Sequence, residues 1–280
     1  MSEQRKIGFL GPAGTWAEEA LHANVPLAPG ETRPYPSVYD VIAAVSRGEM
    51  DEGIVPIENS LEGSVSATLD MLAFEVENIL ISREIVHPVR HCLIARTALP
   101  LGSVEKIISH PHAHAQCRRF VRDRLPRAET EAANSTAEAV KIVSGSEKCW
   151  AAIGSRLAAE NYGCVVLSDD IEDHADNQTR FVMLATDEAP QNLDRPYKTS
   201  IVCAIAHDQP GSLLQILQEF ADRDINLTKL ESRPSKKGLG DYIFFIDMEG
   251  KKDDKAIAGA LESLRSKLAS VKMLGSYPQG

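Results

Sequence analysis

Asn177-Gln178-Thr179-Arg180-Phe181 places a hydroxyl beside a guanidinium, ahead of the apolar run 182–184. A hydroxyl of this kind can hand a hydrogen bond or a proton to a leaving group. If residues 179–181 are extended, Thr179 and Phe181 face one way and Arg180 the other. Thr179 and Arg180 then meet different atoms of a ligand. Val55-Pro-Ile-Glu58-Asn59-Ser60 ends a second apolar run with a carboxylate, an amide and a hydroxyl. The C-terminal ends of strands are where open α/β sheets bind ligands, although the same three residues suit an ordinary helix-capping loop.

Gly8-Phe-Leu-Gly11-Pro-Ala-Gly14-Thr15 has G-x-x-G-x-x-G spacing. That is neither the dinucleotide fingerprint nor a P-loop. It aims the Gly14 and Thr15 amides above a strand end, where a carboxylate binds well, and it serves equally as a tight turn. Ser109-His-Pro-His-Ala-His-Ala-Gln116-Cys117 resembles a metal motif. Pro111 marks a helix start, however, and helical residues two apart point about 200° apart. Ser109 and Gln116 are therefore better ligand contacts than the histidines are metal ligands, and no metal or other cofactor is expected.

Alternating strand and helix patterns must hold these blocks. Strands are expected at 6–10, 53–57, 79–81, 91–96, 106–109, 151–153, 165–167 and 180–185. Helices are expected from Thr15, over 37–47, 64–74, 111–125, 135–144 and 155–162. Thr15-Trp-Ala-Glu18 and Ser135-Thr-Ala-Glu138 have capping-box spacing. The alternation predicts an α/β domain with a largely parallel sheet. A polar, proline-bearing stretch at 186–196 reads as a linker. Beyond it the rhythm is β-α-β-β-α-β: 199–206, 211–223, 226–231, 241–248, 254–269 and 271–277.

The chain has 280 residues and a net charge of −10. That charge argues against a nucleic-acid partner. No signal-peptide core and no membrane-length apolar run is present, and five scattered cysteines suit reduced thiols. The expectation is a cytoplasmic protein without a membrane partner.

In this order the blocks resemble prephenate dehydratases over essentially the whole chain. The carriers are Gly11-Pro-Ala-Gly14-Thr15-Trp-Ala-Glu18, Pro56-Ile-Glu58-Asn59-Ser60 with Gly63, Ser109-His-Pro-His through Gln116-Cys117, and Thr179-Arg180-Phe181. Trp16 and Ala17 stand where the family usually has Phe and Ser. The tail resembles a phenylalanine-sensing ACT domain through Gly211-Ser212-Leu213-Leu214 and Glu231-Ser232-Arg233-Pro234. The resemblance implies a two-lobed, periplasmic-binding-protein-like (type II) α/β catalytic domain over 1–188, with lobes 1–81 plus 166–188 and 82–165. A linker at 189–197 and a ferredoxin-like ACT domain at 198–280 would follow.

It further implies decarboxylating dehydration of prephenate to phenylpyruvate, with Thr179, Glu58 and Asn59 at the chemistry. Gly14, Thr15, Ser60, Ser109, Gln116, Arg180 and Phe181 would bind substrate. L-phenylalanine would bind paired tail domains of a homodimer or homotetramer at Gly211–Leu214, Asn226, Leu227 and Glu231–Pro234. Arogenate dehydratase is the nearest rival. A solute-binding protein or a non-catalytic ligand sensor would share parts of the fold.

Overall fold

The computed structural model describes residues 5–28, 30–191, 193–205, 209–236, 238 and 240–280. In chain order the elements are β1 (Ile7–Leu10), α1 (Trp16–Asn24), β2 (Thr32–Tyr35), α2 (Val38–Ser46), β3 (Glu52–Asn59), β4 (Gly63–Ser64) and α3 (Ser66–Asp70). A π-helical turn, Met71–Glu75, follows. Next come β5 (Leu80–Pro88), β6 (Cys92–Ala95), β7 (Lys106–Ser109), α4 (Pro111–Gln116), α5 (Arg118–Arg124), β8 (Glu129–Ala132), α6 (Thr136–Ser144), β9 (Trp150–Gly154), α7 (Arg156–Asn161), β10 (Val165–Ser168) and β11 (Gln178–Ala185). The tail holds β12 (Tyr197–Ala204), α8 (Ser212–Ala221), β13 (Leu227–Pro234), β14 (Tyr242–Glu249), α9 (Lys255–Lys267) and β15 (Ser270–Pro278).

Two α/β sheets have the orders β2-β1-β3-β11-β5, with β4 paired to β3, and β10-β6-β9-β7-β8. Their central strands are short apolar runs buried on both faces, as β6 is throughout. The polar edge strands β2 and β8 had no apolar signal in the sequence, since an edge strand has one side that needs no burial. The chain crosses to the second sheet after Pro88 and returns before Gln178. Both crossings fall later than the expected Ser82 and Val166. β5 outruns its apolar start because Glu84, interrupting the pattern, is buried against Lys198 with Oε1 2.6 Å from Nζ.

Two helices depart from expectation. The expected 64–74 helix begins only at Ser66, because Gly63 (φ +80) turns Ser64 into a hairpin with β3, and it runs into the π-helical turn after Asp70. The 111–125 helix breaks at Cys117 because the Asp173 amide takes the Gln116 carbonyl (2.6 Å) and the Asp173 carboxylate caps the Arg119 amide (3.0 Å). Neither capping box closes as expected. Ser135 caps Glu138, but Glu138 returns to the Asn134 amide. Thr15 donates to Leu10 O, and Glu18 accepts from Gly14.

The tail sheet order β13-β14-β12-β15 is that of a ferredoxin-like fold. Ile201, Cys203, Phe220, Ile246 and Leu261 fill a core among that sheet and its two helices. The expected strand end at Ala206, and Asp208 of the turn before α8, lie outside the described residues. So do Lys237 and Leu239 of the polar loop before β14, and Asn192 of the proline-bearing stretch. Gln191 pins that stretch by donating to Ala189 O and Ser276 O.

Contacts gather into two units: Met1–Val41, Ile54–Ser66 and Val86–Phe181; and Ile42–Gly53, Ala67–Ile85 and Val182–Gly280. The tail thus shares its unit with 67–85. Within that unit a Cβ at Gly275 (φ +150) would clash with the Ile81 carbonyl oxygen. Gly275→Ala is expected to destabilise by about 2 kcal/mol or more, through overpacking and backbone strain. A thermal melt of purified protein checks this. An unchanged midpoint would mean that the two strands are not in contact.

Candidate active site

A cavity of about 1250 Å³ is lined wholly by residues of the first unit. Thr15 and Trp16 enter it at the start of α1, Asn59 at the end of β3, and Asn177, Thr179 and Phe181 around β11. The second sheet supplies His110, Gln116 on α4, and Ser135 and Thr136 at the start of α6.

The polar floor is one chain of side chains. Asn59 Oδ1 accepts the Leu61 and Glu62 amides at 2.9 and 3.0 Å. Backbone N–H groups only donate, so Asn59 Nδ2 must face the opposite way. Nδ2 lies 2.9 Å from Thr179 Oγ1 and 2.8 Å from Asn177 Oδ1. Asn177 Nδ2 therefore donates to Gln116 Oε1 (3.1 Å), which also receives His91 Nε2 at 2.8 Å. Gln116 Nε2 then points to Glu62 Oε1 at 3.2 Å. One polarity satisfies every link. It leaves Thr179 accepting from Asn59, with its own O–H left to donate.

The alternation reading of β11 agrees with the geometry. Thr179 and Phe181 line the cavity. Arg180 lies off it, its Nη1 3.6 Å from Glu58 Oε2. Glu58 sits with Arg180 and is likewise absent from the cavity lining. Ser60 is not a lining residue either. It receives the Gln178 amide at 3.0 Å and so clips the 176–178 segment to the end of β3.

Gly14 is a packing residue. Its N–H is taken by Glu18 (2.6 Å), its carbonyl by Ser155 Oγ (2.9 Å), and a Cβ there would meet Ala158 Cα at 2.7 Å. The amides left for a ligand at this end are those of the first turn of α1, from Thr15 onward. Ser109 is fully buried inside β7 and donates to Ile153 O at 2.7 Å. Strand periodicity sends its side chain into the lobe. Gln116, Thr15, Asn59, Thr179 and Phe181 are brought together; Gly14, Glu58, Ser60, Ser109 and Arg180 stand outside the lining.

His110 caps α4, His112 faces Glu62, and His114 meets Glu131 O. Among the described residues no group of acidic, histidine and cysteine side chains is placed to hold a metal ion. His91, Trp16 and Glu62 were not expected at the site. A histidine beginning an apolar strand gives no local signal of a ligand pocket.

In the tail, Gly211 (φ +91) is the N-cap of α8, and a Cβ there would meet nothing within 4 Å among the described residues. Ser212 is buried and Leu213 packs on the tail core, while Leu214 is exposed. The Asn226 carbonyl accepts the Glu249 amide, and Leu227 packs on the same core. Along β13, Glu231 and Arg233 are half-buried and Ser232 and Pro234 exposed. Arg233 Nη2 lies 2.8 Å from Asp70 Oδ1, and Lys236 Nζ 2.9 Å from Oδ2. Burial alone would raise the Asp70 carboxyl, but Lys236 and Arg233 outweigh it and hold the pKa below the usual range.

The fold and the cavity define a two-lobed α/β domain with a polar-floored cavity and an appended ferredoxin-like module. The family model described as prephenate dehydratase matches residues 7–189, and that of the ACT domain residues 199–266. A prephenate dehydratase of Methanocaldococcus jannaschii is 40% identical over 98% of each chain. The solved prephenate dehydratase of Arthrobacter aurescens in complex with L-Phe is 38% identical, with a TM-score of 0.88, over 98% of this chain and 90% of that one. GqqA, described as a quorum quenching acylase, is 29% identical with a TM-score of 0.87, over 99% and 98%. This chain belongs to the prephenate dehydratase family, whose members are hydro-lyases, and carries an ACT domain. Because a similar fold also serves an acylase, the site chemistry has to be argued from its side chains.

Proposed function

We propose that this chain converts prephenate to phenylpyruvate, with Thr179 assisting departure of the ring hydroxyl. The observation that carries this is the forced polarity of the Asn59–Thr179 pair at the cavity wall. The ring carboxylate leaves as CO2, and its bonding electrons enter the ring. They expel the hydroxyl, which takes a proton from the surroundings and departs as water. A threonine hydroxyl is too weak an acid to ionise. It works as a donor aimed at charge developing on the leaving oxygen. Prephenate carries two carboxylates, and the cavity offers two helix N-termini, those of α1 and α6, with Lys141 from the last turn of α6 also in the lining. Gln116 and Asn59 hold the ring between them.

L-phenylalanine acts as feedback effector at the tail, bound where two copies pair. β13 is an edge strand of its sheet, so a second chain can extend it. Arg233 and Lys236 grip Asp70, the last residue of the helix that follows cavity-lining Gly63, Ser64 and Val65. That grip carries the effector signal. Asp70→Asn is expected to raise the phenylalanine concentration for half-inhibition about tenfold, which corresponds to a coupling energy of about 1.4 kcal/mol. Turnover without effector should stay near the parent value. Unchanged inhibition would remove Asp70 from the route. The protein works in the cytoplasm; no helix among the described residues is long and apolar enough to cross a membrane.

Turnover of prephenate and arogenate side by side, with and without phenylalanine, tests the reading. Phenylpyruvate formed from prephenate, suppressed by phenylalanine, is expected. Preference for arogenate would reassign the substrate.

A further inference from the structure

His91 is 2% exposed and belongs to the cavity wall. Its ring stands edge-on to Trp16, with centroids 5.5 Å apart. Gln116 Oε1 is an acceptor, so the link at 2.8 Å requires hydrogen on His91 Nε2. His91 Nδ1 is buried without a partner among the described residues. Burial holds the ring below its ordinary pKa, against the Gln116 hydrogen bond and the Glu172 charge, so the imidazole is neutral at pH 7. A ring kept only to fill space would not need this tautomer, or a bare buried nitrogen.

We infer that His91 is a positioning residue for the dehydration. Its Nε2–H holds Gln116 Oε1 so that the Gln116 NH2 group faces the cavity. The same oxygen receives Asn177, whose partner Asn59 donates to Thr179. His91 thus closes the far end of the chain whose near end is the Thr179 hydroxyl. This rests on the cavity being the dehydratase site.

Gln in place of His91 would set its NH2 group near the present Nε2, whereas Phe would fill the space without a donor. His91→Phe is expected to lower kcat/KM for prephenate about tenfold or more, and His91→Gln to recover most of it. In a Gln116→Ala background His91→Phe should cost less than twofold, because the partner is already gone. Equal costs in both backgrounds, tracking a loss in melting temperature, would assign His91 to packing and overturn the inference.

A second readout needs no turnover and no variant. Nitrogen-15 NMR of the His91 ring in the parent protein should give the Nε2–H tautomer at pH 7. The Nδ1–H tautomer would overturn the inference even if His91→Phe fails to fold. A parent enzyme that leaves prephenate unchanged would instead fail the functional reading, while the tautomer still decides the link to Gln116.

Discussion

Replacing Thr179 with alanine should lower kcat for prephenate by about 10²–10⁴-fold, the usual contribution of a positioned proton or hydrogen-bond donor in the transition state. KM should move little. The ground-state hydroxyl carries little charge, and the bond strengthens only as the carbon–oxygen bond breaks. Thr179→Ser keeps the donor and should retain most turnover. Its loss is limited to the greater rotational freedom of a side chain that is not β-branched. Thr179 is only 8% exposed and receives Asn59 Nδ2 at 2.9 Å, so its proton has a restricted set of directions. Removing the methyl weakens that restriction, while removing the oxygen removes the donor. Steady-state kinetics of the two variants beside the parent check this. A Thr179→Ala enzyme within a few-fold of the parent would end the assignment.

Gly14→Ala should be the most damaging change outside the chemistry. The added Cβ would lie 2.7 Å from Ala158 Cα and 2.8 Å from Ala158 Cβ, and neither can rotate away. The backbone at Gly14 has φ +88, which costs an L-residue a further ~1–2 kcal/mol. Overpacking adds about 1–3 kcal/mol. A total of about 2–5 kcal/mol is a large share of a domain's stability. Relief requires the 11–14 turn to move off α7, breaking the bonds from Ser155 Oγ to Gly14 O and from Tyr162 OH to Ala13 O. That turn leads straight into the first turn of α1 at the cavity, so activity should fall with stability. Thermal melts and kcat/KM are the measurements. An active variant with an unshifted melting temperature would mean that the turn is not packed on α7.

How much of this was legible depends on the residue. β7 lies where its apolar run placed it, and the split of Thr179 from Arg180 followed from strand alternation alone. Both are local facts, set by periodicity. The roles of Gly14 and Ser109 were not local. Gly14 sits in a turn that its spacing announced, but its contact with Ala158 comes from a distant helix. Ser109 matched a family motif, yet as the last residue of a buried strand it spends its hydroxyl on Ile153 O. Gln116 owes its place to a helix break made by Asp173, which no pattern around residue 116 could reveal. His91 was invisible for the opposite reason: its neighbours read as ordinary strand, and its partner lies on another element. Periodicity therefore reported which way strands face, while the hydrogen-bonded chain through the cavity required tertiary structure.

The claim at the centre is that the Thr179 hydroxyl faces the leaving oxygen of prephenate. A crystal structure of the Thr179→Ala protein soaked with prephenate tests it most directly, because slow turnover preserves the substrate. The ring hydroxyl should lie about 3 Å from the position of the missing Oγ1, with one carboxylate at the first turn of α1. A ring hydroxyl turned instead toward Glu62 or His110, with the truncated side chain against a carboxylate, would contradict it.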